Sequence, residues 1–493
     1  MSKIVVNHTS IVINNYELGD KEYLEKKQSI WNKSYYRYDP VGYVYNESTK
    51  QLLLPRGVDI NFLERTFNTQ ADFNYAADPS DTMSIRLKLM PRDDVQRKSI
   101  SFLIGEGDFS YTKKYSQLLL NLDTGIGKTY VATAALTFYR TKAIIITHID
   151  KIKKQWYDTF MNITDIDKAS ICDITGSYVI NALLDSPNPK FKIYLINHAT
   201  INAYATKHGW ESVGELFRHL KIGVKIYDEA HLCFENMLRV DMYTNTKRTL
   251  YLTATFNRSD PDENRLFEQC TKSIVRYGSE ARSEKRKHIV YLAAFYNSYP
   301  DIGEEGSMST IRGWSKIRYA DYLMGCKRFF EALTYMVNYF INKEGKMLIL
   351  SSKIETAHTI AEMVKKLHPD KVVSEYHSKI SSEDREKAFS ADIISSTPQS
   401  AGTGADIRGL RCVINTESYS SKVSAEQMSG RLREYSPTAN TFYVELVDRG
   451  FRKVQNMYRD RLSVFKKKCV KVCTINLEEV LPENDKRRNL RGF

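Results

Sequence analysis

Two groups of short apolar runs set the limits on what this chain can fold into. The first group is AIIITH (143–148), KIYLINH (192–198), VKIYDEAH (224–231) and LYLTAT (250–255). The second is KMLILSS (346–352), ADIISST (391–397), RCVINTE (411–417) and TFYVELVD (441–448). Each is near-continuous and ends in small or polar residues. A strand with one wet face alternates apolar and polar residues, whereas a strand covered on both faces does not. Helical patterns such as TYVATAALTFYR (129–140) and IETAHTIAEMVKKLH (354–368) separate the runs. Strand–helix alternation builds parallel sheets, so the reading is α/β, in two blocks at roughly 91–275 and 290–450. The polar stretch YGSEARSEKRKH (277–288) suits a connection between them. The first 90 residues are rich in Tyr and Asn and carry the turn signals YDPVGY and LPRG, which reads as a small separate α+β domain. Residues 306–341 read as mainly helical. The domains drawn are 1–90, 91–275, 276–450 and a basic tail, 451–493.

At 493 residues the chain is long enough for about three domains. It has no apolar run of the ~18 residues a membrane span needs. Its N-terminus, MSKIVVNHTSIVINN, lacks the unbroken apolar core of a signal peptide. Seven scattered cysteines form no pair of CxxC units, and Cys469 with Cys473 alone makes a poor zinc site, so reduced thiols in a cytosolic compartment are expected. The net charge of +13 favours a polyanionic partner. Residues 451–493 hold 12 Lys/Arg against 5 Asp/Glu. They read either as a solvated, partly disordered end or as a phosphate-contacting tail.

Chemistry concentrates in NLDTGIGKTY (121–130), which follows the apolar SQLLL and opens a helical pattern. Thr124, Gly125, Ile126 and Gly127 form a loop whose glycines let backbone amides turn toward a phosphate. Lys128 would reach the outer phosphates. Thr129 would offer a hydroxyl to Mg²⁺ at a helix start that favours anions. The strict GxxxxGK[ST] pattern wants Gly at 122, where this chain has Leu122. About 100 residues on, Asp228 and Glu229 end an apolar run. Asp228 suits the metal and Glu229 suits the attacking water.

With these motifs in order the chain resembles a superfamily 2 helicase. LDTGIGKT resembles its first motif, IITHIDKIKKQW the next, and INHAT the element before the DEAH box at 228–231. LTATF (252–256), LILSSKIETA, STPQSAGTGADIRGL and QMSGRLRE resemble the later ones. The layout is most similar to phage and viral helicases of the recombination and branch-migration type, through LLLPRGVDINFL ahead of the first block. One departure is clear: the usual QxxGRxxR would put its last arginine at 434, which is Glu434, and the nearest arginine is Arg433.

The resemblance implies two RecA-like parallel-sheet lobes in tandem after the N-terminal domain, with ATP and Mg²⁺ bound between them. Lys128, Thr129 and the loop amides would hold the triphosphate, Asp228 the metal, and Glu229 the water. Gln427, Arg431 and Arg433 would complete the catalytic set, the arginines as fingers. Gln96 in MPRDDVQ would read adenine, or is an exposed polar residue at a domain edge. Gly404 and Asp406 belong to the fifth motif, whose acid contacts the nucleotide sugar. His231, Thr253 and Thr255 would couple nucleotide state to strand grip. Thr147, His148, Ser351 and Thr403 would contact nucleic acid, or are capping and buried polar residues. The implied partner is DNA, single-stranded or branched, with RNA as the alternative, in the cytoplasm of a host cell if the chain is phage-encoded. A scaffold with a dead ATP site and the motor of a restriction complex are the other readings.

Overall fold

The computed structural model describes residues 3–16, 27–32, 35–122, 125–254, 261–278, 286–297, 306–310, 313–402, 407–432 and 439–482. The chain divides into two compact units, Met1–Arg282 and Ser283–Phe493.

The first unit is built on a seven-stranded, all-parallel sheet. Its strands run in the order Ile171–Ile174, Ile193–Asn197, Ala143–Thr147, Val224–Tyr227, Arg248–Thr253, Gln117–Asn121 and Val275–Tyr277. The central strands are buried on both faces, as their unbroken apolar sequences require. Helices such as Lys128–Tyr139 and Asp150–Ile163 make the crossovers. Register aligns the carboxyl ends of the strands, with Thr253 opposite Asn121, Tyr227 opposite Ile146 and Thr147 opposite Asn197. That edge is where parallel α/β sheets place their ligands. Here it carries the phosphate loop, the acidic box and the Thr147–His148 turn.

The N-terminal region has its own mixed sheet, ordered Val44–Asn46, Gln51–Pro55, Ser10–Asn14, Lys3–Val6 and Ala71–Phe73. The helix Ile60–Phe67 packs on it over a core that includes Ile4, Ile11, Leu52 and Leu63. The α+β expectation stands, and the region falls inside the first compact unit. Contacts from before residue 75 tie it there: Arg265 donates to the Ser29 carbonyl at 3.0 Å, Ser116 Oγ to the His8 carbonyl at 2.6 Å and the Ser273 amide to the Gly57 carbonyl at 2.8 Å. The stretch after residue 75 adds bridges from Thr82 to Thr141 and from Leu87 to Thr164.

The second unit repeats the plan. Its parallel strands lie in the order Val373–Tyr376, Ile393–Ser396, Lys346–Leu350, Leu410–Asn415, Thr441–Asp448, Arg286–Phe295 and Cys469–Asn476. The expected connection at 277–288 therefore gives its last residues to a strand. Residues 306–341 hold the helices Lys316–Met324 and Lys327–Ile341, with a short hairpin ahead of them.

The expected tail at 451–493 is corrected over most of its length. Arg452–Lys468 is a helix, and Cys469–Asn476 is an edge strand paired with Arg286–Phe295. Arg461 does not point at a partner. It is buried, and its Nη2 lies 2.6 Å from Oε2 of the equally buried Glu445. The basic cluster at 486–491 lies outside the described residues.

Candidate active site

The phosphate loop leaves Gln117–Asn121 and re-enters at the helix Lys128–Tyr139. Gly125 and Gly127 have φ of +90° and +94°, values that favour glycine. A Cβ on Gly127 would meet Gln96 Nε2 at 2.9 Å. Gln96 is thus not the exposed polar residue of the alternative reading. It is 5% exposed, takes the Arg92 amide on Oε1 at 2.8 Å and donates from Nε2 to the Ile126 carbonyl at 2.8 Å. In this structure it braces the loop.

Lys128 is buried, with Nζ 3.2 Å from the Leu122 carbonyl and 3.7 Å from Glu229 Oε1. Residue 122, the departure from the strict pattern, therefore contributes a backbone acceptor rather than a side chain. Lys128 and the acidic box, 100 residues apart in sequence, meet at one place.

Asp228 ends its strand buried, and two donors fix its carboxylate. Trp156 Nε1 reaches Oδ2 at 2.8 Å, and the Glu229 amide reaches Oδ1 at 2.9 Å. Burial raises the Asp228 pKa to about 6, helped by the Glu229 charge; Lys128 and the Trp156 bond oppose it. Trp156 was legible only as part of a motif, and its service to Asp228 is new from the fold. Glu229 sits at φ +48°, a left-handed conformation that costs a non-glycine residue about 1 kcal/mol or more. Its carboxylate lies between Lys128 and His231, with Oε2 3.4 Å from His231 Nδ1.

His231 is buried, and its Nδ1 is also 2.9 Å from Thr253 Oγ1. The acidic box is thereby tied to the end of strand Arg248–Thr253, the contact a coupling role requires. His148 is half-buried, and neither ring nitrogen has a hydrogen-bond partner among the described residues. Burial depresses its pKa while the Glu229 charge opposes the fall. It therefore faces the acidic box electrostatically. Burial and His148 together push His198 down to about 3.

Thr147 and Ser351 are buried, and their hydroxyls close turns. Thr147 Oγ1 donates to the Ile149 carbonyl and Ser351 Oγ to the Lys353 carbonyl, each at 3.2 Å. In this structure these hydroxyls serve the turn. In the second unit Arg431 is half-buried just past the helix Lys422–Ser429, which carries Gln427. Arg431 stands near enough to Tyr376 to act on its phenol electrostatically. Thr124, Thr255, Thr403, Gly404, Asp406 and Arg433 lie outside the described residues, as does the side chain of Gln427.

The donor set fits a nucleotide with its metal. A left-handed glycine loop opens a helix whose second residue is Thr129, and one buried lysine and a fixed carboxylate stand beside it. Among the described residues no cluster of three or more His, Cys, Asp or Glu could hold a metal by itself. Magnesium at this site would therefore share phosphate oxygens, as that ion commonly does.

Two family models match the chain. The res subunit of type III restriction enzymes matches residues 89–258, and the helicase conserved C-terminal domain matches residues 329–434. The chain carries the two-domain core of a superfamily 2 helicase. A DNA 3'-5' helicase XPB of Kineococcus radiotolerans is 29% identical over 147 residues, 30% of this chain. The superfamily 2 chain spans about a quarter (24%) of that curated relative's length. Among solved structures, S. cerevisiae Dbp5 bound to RNA and ADP BeF3 superposes with a TM-score of 0.52 at 12% identity, covering 78% of this chain and 90% of Dbp5. That likeness is one of fold. T4 UvsW covers 96% of this chain and 100% of its own at 14% identity, with a TM-score of 0.37.

Proposed function

We propose that this helicase core hydrolyses ATP and couples the reaction to movement on, or remodelling of, DNA. The observation that carries the reading is the meeting of Lys128, Asp228 and Glu229 at the carboxyl edge of one parallel sheet, beside a glycine loop. In this reading the loop amides and Lys128 bind the triphosphate, and Thr129 and Asp228 hold Mg²⁺, which would neutralise charge on the phosphates. Glu229 orients the attacking water. Its left-handed backbone and its place between Lys128 and His231 aim the carboxylate for that task. Arg431 and Arg433 are proposed to stabilise charge developing on the transferred phosphoryl group, an effect worth about 10³–10⁵ in rate where it operates. His231 passes the state of the box to Thr253.

DNA is preferred because the curated relative, similar in sequence over 147 residues, is named a DNA helicase. Dbp5, seen with RNA, shares the fold at 12% identity, and RNA is the second reading. The phage-type branch-migration role rests on LLLPRGVDINFL and the motif layout, and host cytoplasm follows from that role. No described helix is long and apolar enough to cross a membrane. Steady-state ATP hydrolysis with single-stranded DNA, duplex, four-way junction and single-stranded RNA is the test. Stimulation greatest with the junction supports branch migration. Stimulation by RNA alone replaces DNA with RNA, and no hydrolysis under any condition overturns the reading.

A further inference from the structure

A cavity of about 390 Å³ opens in the first unit where the N-terminal sheet meets the segment leading into strand Gln117–Asn121. No phosphate-loop or acidic-box residue lines it. Its volume lies in the range of small-ligand sites and suits about one nucleotide.

Arg56 is the feature in need of a partner. It follows strand Gln51–Pro55, lines the cavity and is half-buried. Its guanidinium lies over the Phe73 ring, 5.9 Å from the centroid, and makes no hydrogen bond or ion pair with any described residue. Burial depresses its pKa. The carboxylates in the wall are engaged elsewhere. Asp59 pairs with Lys272 at 2.8 Å and caps the helix Ile60–Phe67, while Glu64 takes the Ala71 amide at 2.8 Å. Lys114 adds a second cation without an ion pair among the described residues, lying over Tyr115 at 5.2 Å. A partly desolvated cation without a counter-charge is costly, so an anion entering the cavity would gain by supplying one.

The mouth says which kind of anion. Phe73 and Tyr75 line it, 46% and 81% exposed, with rings stacked at 6.2 Å and 17°. Exposed stacked rings beside an arginine form a platform for bases, and two cations in the same lining suit the phosphates joining those bases. A phosphopeptide would use the cations and leave the rings idle.

We propose that this cavity binds single-stranded DNA, with a phosphate on Arg56 and Lys114 and bases stacked on Phe73 and Tyr75. The inference rests on the reading of the chain as a DNA-dependent ATPase.

The test is fluorescence anisotropy of a labelled oligothymidine with the full-length protein, comparing wild type, Arg56→Gln and the double variant Phe73→Ala/Tyr75→Ala. Stacking on one ring changes affinity by about five- to 150-fold, so the double variant should bind at least fivefold more weakly. Arg56→Gln should lower the slope of log affinity against log salt by about 0.7, one single-strand phosphate contact. A second arm needs no variant. Wild type is photocrosslinked to an oligonucleotide carrying 5-iodouracil and the adducts are mapped by mass spectrometry. Adducts on Phe73 or Tyr75 support the site, and adducts only elsewhere overturn it. Wild type that binds DNA while both variants bind equally well, with unchanged salt slope, overturns this site alone. Wild type that neither binds DNA nor is stimulated by it overturns the underlying reading as well.

Discussion

Replacing Trp156 by phenylalanine would isolate the bond that fixes the proposed metal ligand. The change keeps most of a buried ring and removes the Nε1 donor, 2.8 Å from Asp228 Oδ2. A hydrogen bond to a charged group is worth about 1.5–3 kcal/mol. At 1.36 kcal/mol per pKa unit its loss raises Asp228 by about one to two units. The carboxyl, already near 6 through burial, would then titrate at about 7–8. At pH 7 the ionised fraction falls from about nine-tenths to between a half and a tenth. Apparent Mg²⁺ affinity in ATP hydrolysis should therefore drop about two- to tenfold at pH 7 and recover above pH 9. Stability gives an independent reading. A carboxyl with a folded-state value above its unfolded value of about 3.9 weighs against folding as pH rises through that interval. The variant extends the interval upward from about 6, so the two proteins should differ by a constant packing loss below pH 5. The gap should widen by about 1.5–3 kcal/mol by pH 9. Urea unfolding across pH without Mg²⁺ measures it. A stability gap that does not change with pH, together with an unshifted Mg²⁺ requirement, would refute the assignment of Trp156 to Asp228.

Lys128→Ala should abolish ATP turnover while DNA affinity stays within about threefold, as a phosphate ligand distant from the strand would require; equal ATPase rates would sink the phosphate-loop reading. Gly127→Ala places a Cβ 2.9 Å from Gln96 Nε2 at φ +94°. It should raise KM for ATP and cost about 1–2 kcal/mol in a thermal melt, and wild-type values for both would count against a built loop. Arg461→Met strands the buried Glu445 carboxylate and should cost about 3–5 kcal/mol in urea unfolding, with most of it regained in the double variant Arg461→Met/Glu445→Leu. Ser351→Ala should cost about 1 kcal/mol of stability and change DNA affinity less than twofold, whereas a larger loss of affinity without loss of stability would restore a hydroxyl contact to DNA.

The eight runs that announced the fold were legible because they are central strands, apolar on both faces. The strands that escaped notice lie at edges or start in charge. Val373–Tyr376 is a half-buried edge strand, VSEY, with no apolar run to show. Cys469–Asn476, CVKVCTIN, is the opposite edge, where lysines belong because they discourage pairing with other chains. Its charge made it look like a solvated tail. Arg286–Phe295 begins with Arg-Lys-His, so its first residues passed for a connection. Glycines, Lys128 and the acidic pair were legible because each motif is a contiguous string. Trp156 and Gln96 were not, since their roles rest on contacts across 72 and 30 residues that only the sheet brings together.

The two units also show what sequence similarity does not. No repeat is visible between them, yet Ala143–Thr147 and Lys346–Leu350 both stand third in their sheets, and both turn into a helix the same way. In each, a hydroxyl donates at 3.2 Å to the carbonyl two residues on, just ahead of the helix. The two acceptors are the N-cap carbonyls, which also take helix amides, Ile152 on Ile149 at 3.2 Å and Ala357 on Lys353 at 3.0 Å, so the short hydroxyl adds a second donor that fixes the residue before the helix. Threonine and serine meet that need equally, so the pattern survives without identity of sequence. The same bond occupies the Thr147 and Ser351 hydroxyl protons in this structure. A phosphate reaching either turn would meet backbone amides or draw the hydroxyl off its carbonyl, and neither contact carries a base preference.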